Sequence, residues 1–292
     1  MPLGAPRDRA RSTVDGVTAR LIPPFALLFV VLAFAVLPTL AQVEPDATCL
    51  ERGCYCEAVA HSGVRQPIDA YSSIAPAIAG AFVLWRTLRR RRGPDLADQR
   101  APGLALGLAA CSIAVFSFYY HATLTWRGEY LDGVSLYLLA GFPIAWTICR
   151  ALGDRGFGLV YIAVAAGPAV LSALVPEVRK PAFLLLALLA VTAEVVRRAT
   201  RRTRARGVWL AVAVTSFGVA LVAWWLDWTR TVCSPHGAIQ LHAVWHALSA
   251  PTIMSLHAYY ASEGTSSTGP RHEEHETRPT IQGNHTTPES ST

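Results

Sequence analysis

The sequence predicts an all-α polytopic membrane protein, a bundle of seven transmembrane helices preceded by an additional N-terminal hydrophobic segment. Three observations carry that prediction. The 292 residues are 52% hydrophobic and 16% charged, with a mean hydropathy of +0.32, which is too apolar for a water-soluble domain of this size. The apolar residues gather in stretches close to the roughly 20 residues that span a bilayer. The arginines gather in alternate connections between those stretches, as the positive-inside rule requires. The net charge of +6 therefore reads as membrane orientation and not as a nucleic-acid surface.

Residues 1–20 carry Arg7, Arg9, Arg11 and Arg20 with no apolar period and read as a disordered basic leader. Residues 21–42 are apolar and contain Thr39-Leu40-Ala41, small residues where a signal peptidase needs them, so this segment is a signal peptide or an anchor helix. Residues 43–68 are polar, hold Cys49, Cys54 and Cys56, and form an outer segment. The core at 69–260 contains spans at 69–88, 102–122, 130–149, 156–175, 181–196, 208–228 and 241–260. Pro76, Pro143, Pro168 and Pro251 fall within them and predict kinks. Arg86, Arg89, Arg90, Arg91, Arg92 and Arg100 flank the first connection, Arg150 and Arg155 the third, and Arg197, Arg198, Arg201, Arg202, Arg204 and Arg206 the fifth. The odd connections are thereby cytoplasmic, and the core starts outside and ends inside. Residues 261–292, rich in Ser, Thr, Gly, Glu and His, read as a disordered cytoplasmic tail in which His272 and His275 are solvated. The sequon Asn284-His285-Thr286 would never meet the glycosyl transferase there.

The chemistry concentrates in the last span, which opens Leu241-His242-Ala243-Val244-Trp245-His246. Imidazoles four residues apart lie one above the other on a helix face, and ionisable side chains within an apolar span face the interior of a bundle. His121, with Ser117 one turn before it, ends the second span, and Asp132 opens the third. With the alternating topology, all of these fall near the outer face. Three neutral imidazoles suit Zn²⁺ and leave its fourth position to water, the pattern of a catalytic site. Asp132 would accept a proton from that water or orient a ligand imidazole, and Ser117 would donate a hydrogen bond to a developing oxyanion. Of the other polar residues, His257 reads as structural, His61 and His236 as solvated, and Glu194 as snorkelling toward Arg197 or Arg198. Asp227 ends the sixth span as an interfacial charge or as a support to the site. Cys49, Cys54, Cys56 and Cys233 share the oxidising side, whereas Cys111 and Cys149 lie within helices. Pairing Cys56 with Cys233 would tie the outer segment to the start of the last span and leave Cys49 for Cys54, although four cysteines allow three arrangements.

At these residues the chain resembles the alkaline ceramidase family, seven-helix membrane hydrolases grouped with the adiponectin receptors. Ser117 and His121 resemble the family's Ser-x-x-x-His, Asp132 its following aspartate, and His242 and His246 its final HxxxH. Cys56-Glu57 resembles its N-terminal Cys-Glu, and residues 66–73 the opening of its first helix. The resemblance covers about 54–260 and implies zinc-dependent hydrolysis of ceramide to a sphingoid base and a fatty acid, with a membrane lipid as substrate and no obligate protein partner or nucleic acid. The family's eukaryotic members also carry a calcium site. Here Cys54 replaces its Asp, Val59 its Asn and Gln66 its later Glu, so that Glu57 alone is kept. Hard Ca²⁺ wants several anionic oxygens, so this pattern argues against it unless Glu44, Asp46, Glu51 or Asp69 substitutes. The N-terminal hydrophobic segment and the Arg/Ala-rich composition suggest a bacterial plasma-membrane member acting on ceramide or a related N-acyl lipid. A non-catalytic receptor or scaffold with structural zinc is the rival reading. A haem protein is disfavoured, because one HxxxH pair on a single face cannot straddle a haem plane.

Overall fold

The computed structural model describes residues 44–89, 99–153, 156–200, 202–203 and 205–265. The basic leader, the N-terminal hydrophobic segment and the end of the chain after residue 265 lie outside the described residues. In chain order the helices are α1 (Cys49–Arg52), α2 (Pro67–Ser72), α3 (Ile74–Arg89), α4 (Arg100–Thr123), α5 (Trp126–Ala151), α6 (Phe157–Leu174), α7 (Arg179–Ala199), α8 (Gly207–Trp228) and α9 (Leu241–Thr265), with a 3-10 turn at Pro176–Val178. Helices α2 and α3 run as one span, interrupted only by a turn at Ser73.

The protein is an all-α polytopic membrane protein. Five spans, Pro67–Arg89 and helices α4, α5, α6 and α8, are long and apolar enough to cross a bilayer. Helices α7 and α9 are as long but more polar, because the bundle buries Glu194 and Arg197 on one and His242, His246 and Glu263 on the other. On the outer helices the apolar residues face outward uncovered, as Leu159 and Ile162 of α6 and Val219 and Val222 of α8 do. Only a lipid solvent makes such faces favourable.

Lipid tails are as apolar as leucine, so helices in a membrane associate through close packing. The contact of α3 with α4 depends on three glycines, Gly80, Gly107 and Gly103, the last packed directly on Thr87. A Cβ on Gly80 would stand 2.7 Å from Cys111 Sγ and 2.9 Å from the Gly107 carbonyl, and one on Gly107 would stand 2.7 Å from the Leu84 side chain. Around the bundle α3 packs on α4, α4 on α5, and α5 on α6 and α7, while α9 packs on both α3 and α8. Between α5, α7, α8 and α9 lies an apolar pocket of about 570 Å³.

Two boundaries and one side chain differ from the sequence expectation in ways that matter. Helix α5 starts at Trp126, so Asp132 occupies its second turn. Helix α9 continues to Thr265 instead of ending at residue 260, which brings Glu263 into the bundle. Glu194 does not snorkel. It is buried against Arg197 at 3.0 Å and accepts hydrogen bonds from Tyr259 and Tyr260 at 3.0 and 2.7 Å. Helices α5, α6 and α9 continue through Pro143, Pro168 and Pro251.

Candidate metal centre

Short connections deliver the site residues. Helix α4 ends where Leu124 takes a left-handed φ of 48° and its amide closes on the Tyr120 carbonyl at 2.7 Å. Thr125 then caps α5, its hydroxyl accepting from Gly128 N–H at 3.2 Å. Gly128 is required there, because a Cβ would sit 2.9 Å from Tyr120 Cα. This tight reversal holds His121, in the last turn of α4, and Asp132, early in α5, at the same end of the bundle.

The opening of α9 is fixed from outside the helix. Asp227, at the end of α8 and fully buried, accepts from His242 N–H at 3.0 Å and from Cys56 N–H at 2.8 Å. One carboxylate thus ties α8, α9 and the outer segment together. Cys56 is bonded to Cys233, and Cys49 to Cys54. The tie brings Tyr55 onto the site. Its ring stacks on His242 with centroids 3.7 Å apart, and its hydroxyl accepts from Trp224 Nε1 at 3.0 Å.

His121, His242 and His246 are all buried, and one nitrogen from each lies within 4.8 Å of the others. His121 Nε2 and His242 Nε2 are 3.0 Å apart. The outward-facing nitrogens assign two tautomers. His121 Nδ1 meets the Gln66 amide oxygen at 3.0 Å, and His246 Nδ1 meets the Asp69 carbonyl at 3.1 Å and Ser72 Oγ at 2.7 Å. Carbonyl-type oxygens only accept, so each of these Nδ1 atoms carries the proton and each Nε2 presents a bare lone pair inward. Unpaired, such lone pairs repel and lack solvation. The donor set fits a divalent cation that accepts imidazole nitrogen, as zinc does. Ser117 Oγ lies 3.0 Å from His246 Nε2 and also against the Asp132 carboxylate.

All five residues expected from the sequence therefore meet at one end of the bundle. Gln66, Ser72 and the Asp69 carbonyl, which orient the imidazoles, were not foreseen in that role. Their signal was position, since residues 66–72 flank and form the first turn of the first span. Glu57 serves as a helix cap. Its two oxygens accept the Ile68 and Asp69 amides at 2.8 Å each and cap α2 behind Pro67. Burial pushes its carboxyl pKa up, and the two amides pull it back down. His61 and His236 are exposed.

The ceramidase family model matches residues 56–285, most of the chain. The chain belongs to the ceramidase family. As a member it is a membrane hydrolase acting on an amide carbon–nitrogen bond of a lipid, and among the described residues the buried imidazole trio is a group able to hold a metal. No individual curated protein matches the chain.

Proposed function

We propose that this ceramidase-family chain is a zinc-dependent intramembrane amidase that hydrolyses ceramide or a related long-chain N-acyl lipid to a sphingoid base and a fatty acid. The observation that carries the reading is the inward convergence of His121, His242 and His246, with the Nε2 lone pairs of His121 and His246 bare, beside Ser117 and Asp132. His121, His242 and His246 would hold the zinc ion, which would supply Lewis acidity there when bound. The chain's own groups do the remainder. Asp132 takes a proton from the attacking water and returns it to the departing amine, so that one water is consumed and an amine and an acid are released. Ser117 donates to the carbonyl oxygen as charge develops on it.

The pocket between α5, α7, α8 and α9 supports a long acyl chain as the other half of the substrate. Phe183 and Phe217 line it, and both rings pack on Trp245, next in the chain to His246. Two disulfides at the histidine end and the arginine-rich connections at the other support an orientation with the site near the non-cytoplasmic face and the C-terminus in the cytoplasm.

The test is hydrolysis of a long-chain ceramide by detergent-purified protein, with bound metal counted in the same samples, for wild type and His246→Ala. Zinc near one per chain and release of sphingoid base by wild type alone are expected. Stoichiometric zinc without cleavage of any N-acyl lipid would favour the scaffold reading, and absence of zinc would remove the proposed site.

A further inference from the structure

At the end of the bundle away from the histidines, an open groove of about 1410 Å³ runs between α3 and α8. Its floor is α9, where His257 lines it beside the smaller Ala258, Ala261 and Ser262, and its walls carry Trp85 on α3 and Trp209 on α8. Arg86, Arg89 and Arg206 line it, and all three are exposed. Among the described residues no carboxylate pairs with any of them, and no acidic residue lines the groove. Arg89 instead lies over the Trp85 ring, 4.9 Å from its centroid.

We propose that this groove binds the phosphate headgroup of an anionic glycerophospholipid. Three guanidiniums that no carboxylate among the described residues pairs, converging on one concavity, form a site for a phosphodiester, which accepts paired N–H donors in a planar fork. The groove lies where the spans end, at headgroup depth, and tryptophans are favoured at that depth because one edge is apolar and the other wet. A free anion would use only the arginines. A lipid also uses the walls, its glycerol on the small floor residues and its chains against the apolar flank of Trp209 and Phe82. Basic pockets between membrane helices are the usual setting for such headgroups. Alternate placement of arginines for orientation explains why these residues are basic. It does not explain why three of them share one groove with two tryptophans and no acid.

The experiment is native mass spectrometry of the full chain, released from phosphatidylcholine nanodiscs doped with phosphatidylglycerol. Wild type is expected to retain phosphatidylglycerol in preference to phosphatidylcholine. The triple variant Arg86→Gln, Arg89→Gln, Arg206→Gln should retain it about a hundredfold less well, since each arginine near the surface contributes on the order of 1 kcal/mol. Ala258→Phe, which fills the floor and keeps every arginine, should also lose it. Arg202→Gln, exposed but outside the groove lining, should retain it. Equal retention by wild type and the triple variant overturns the proposal, as does equal loss in Arg202→Gln. Displacement of the lipid by inorganic phosphate at matched concentration would overturn the lipid as the occupant.

Discussion

The two ends of the bundle bury polar groups by opposite rules. At the end away from the histidines Glu194, Arg197 and Glu263 form a closed network. Arg197 lies 3.0 Å from Glu194 and 2.7 Å from Glu263, Tyr259 and Tyr260 donate to Glu194, and Trp146 Nε1 donates to Glu263 at 3.1 Å. None of these side chains has a buried polar atom without a partner. At the histidine end the groups are uncharged imidazoles, and satisfaction is incomplete. His242 Nδ1 and both carboxylate oxygens of Asp69 are buried without a hydrogen bond, and two imidazole Nε2 atoms face each other. A region that only holds helices together uses up its hydrogen-bonding capacity, because each orphaned group costs about 1–3 kcal/mol. A region that binds keeps some in reserve.

Mutations should separate the two ends by which quantity they move. The largest effect on turnover belongs to the proposed proton carrier. Asp132→Asn should keep bound metal and lower ceramide hydrolysis by about 10³-fold, and Ser117→Ala by about 10²-fold. Metal content and initial rates measured together would check this, and loss of metal in Asp132→Asn would make that residue a support of the ligands instead. Next comes the tie at the helix junction. Asp227→Asn weakens hydrogen bonds from Cys56 and His242 and should cost about 2 kcal/mol of stability, with a smaller drop in rate. Thermal unfolding in detergent reads the first and steady-state kinetics the second. The smallest effect on activity is expected at the end away from the histidines. Arg197→Met strands two buried carboxylates and should cost about 3 kcal/mol or more, yet leave turnover per folded molecule unchanged. A large fall in turnover at constant fold would show that the two ends are coupled and break the contrast.

The sequence made the fold legible because each helix announces itself locally, by length, apolarity and flanking arginines. The site was legible where its residues share a helix, as His242 and His246 do, or where alternating topology puts different helices at one depth, as with His121 and Asp132. What stayed hidden was non-local. Gln66 and Ser72 orient imidazoles from helices more than fifty residues away in sequence, and no periodicity announces that. Glu194 was misjudged for the same reason. Its closeness to a helix end suggested solvent, whereas its partners Tyr259 and Tyr260 come from α9. The Cys56–Cys233 pairing, one of three arrangements open to four cysteines, depends on how α8 and the outer segment meet at Asp227.

That disulfide also sets an order of assembly. Its two cysteines are 177 residues apart, so during synthesis Cys56 waits while six spans are threaded into the bilayer. Only when Cys233 emerges can the outer segment be pinned, Tyr55 be laid on His242 and the last two ligands be delivered. A chain cut short anywhere before Cys233 lacks both His242 and His246 and the clasp beside them. The assembled site therefore belongs to the finished chain and not to its precursors.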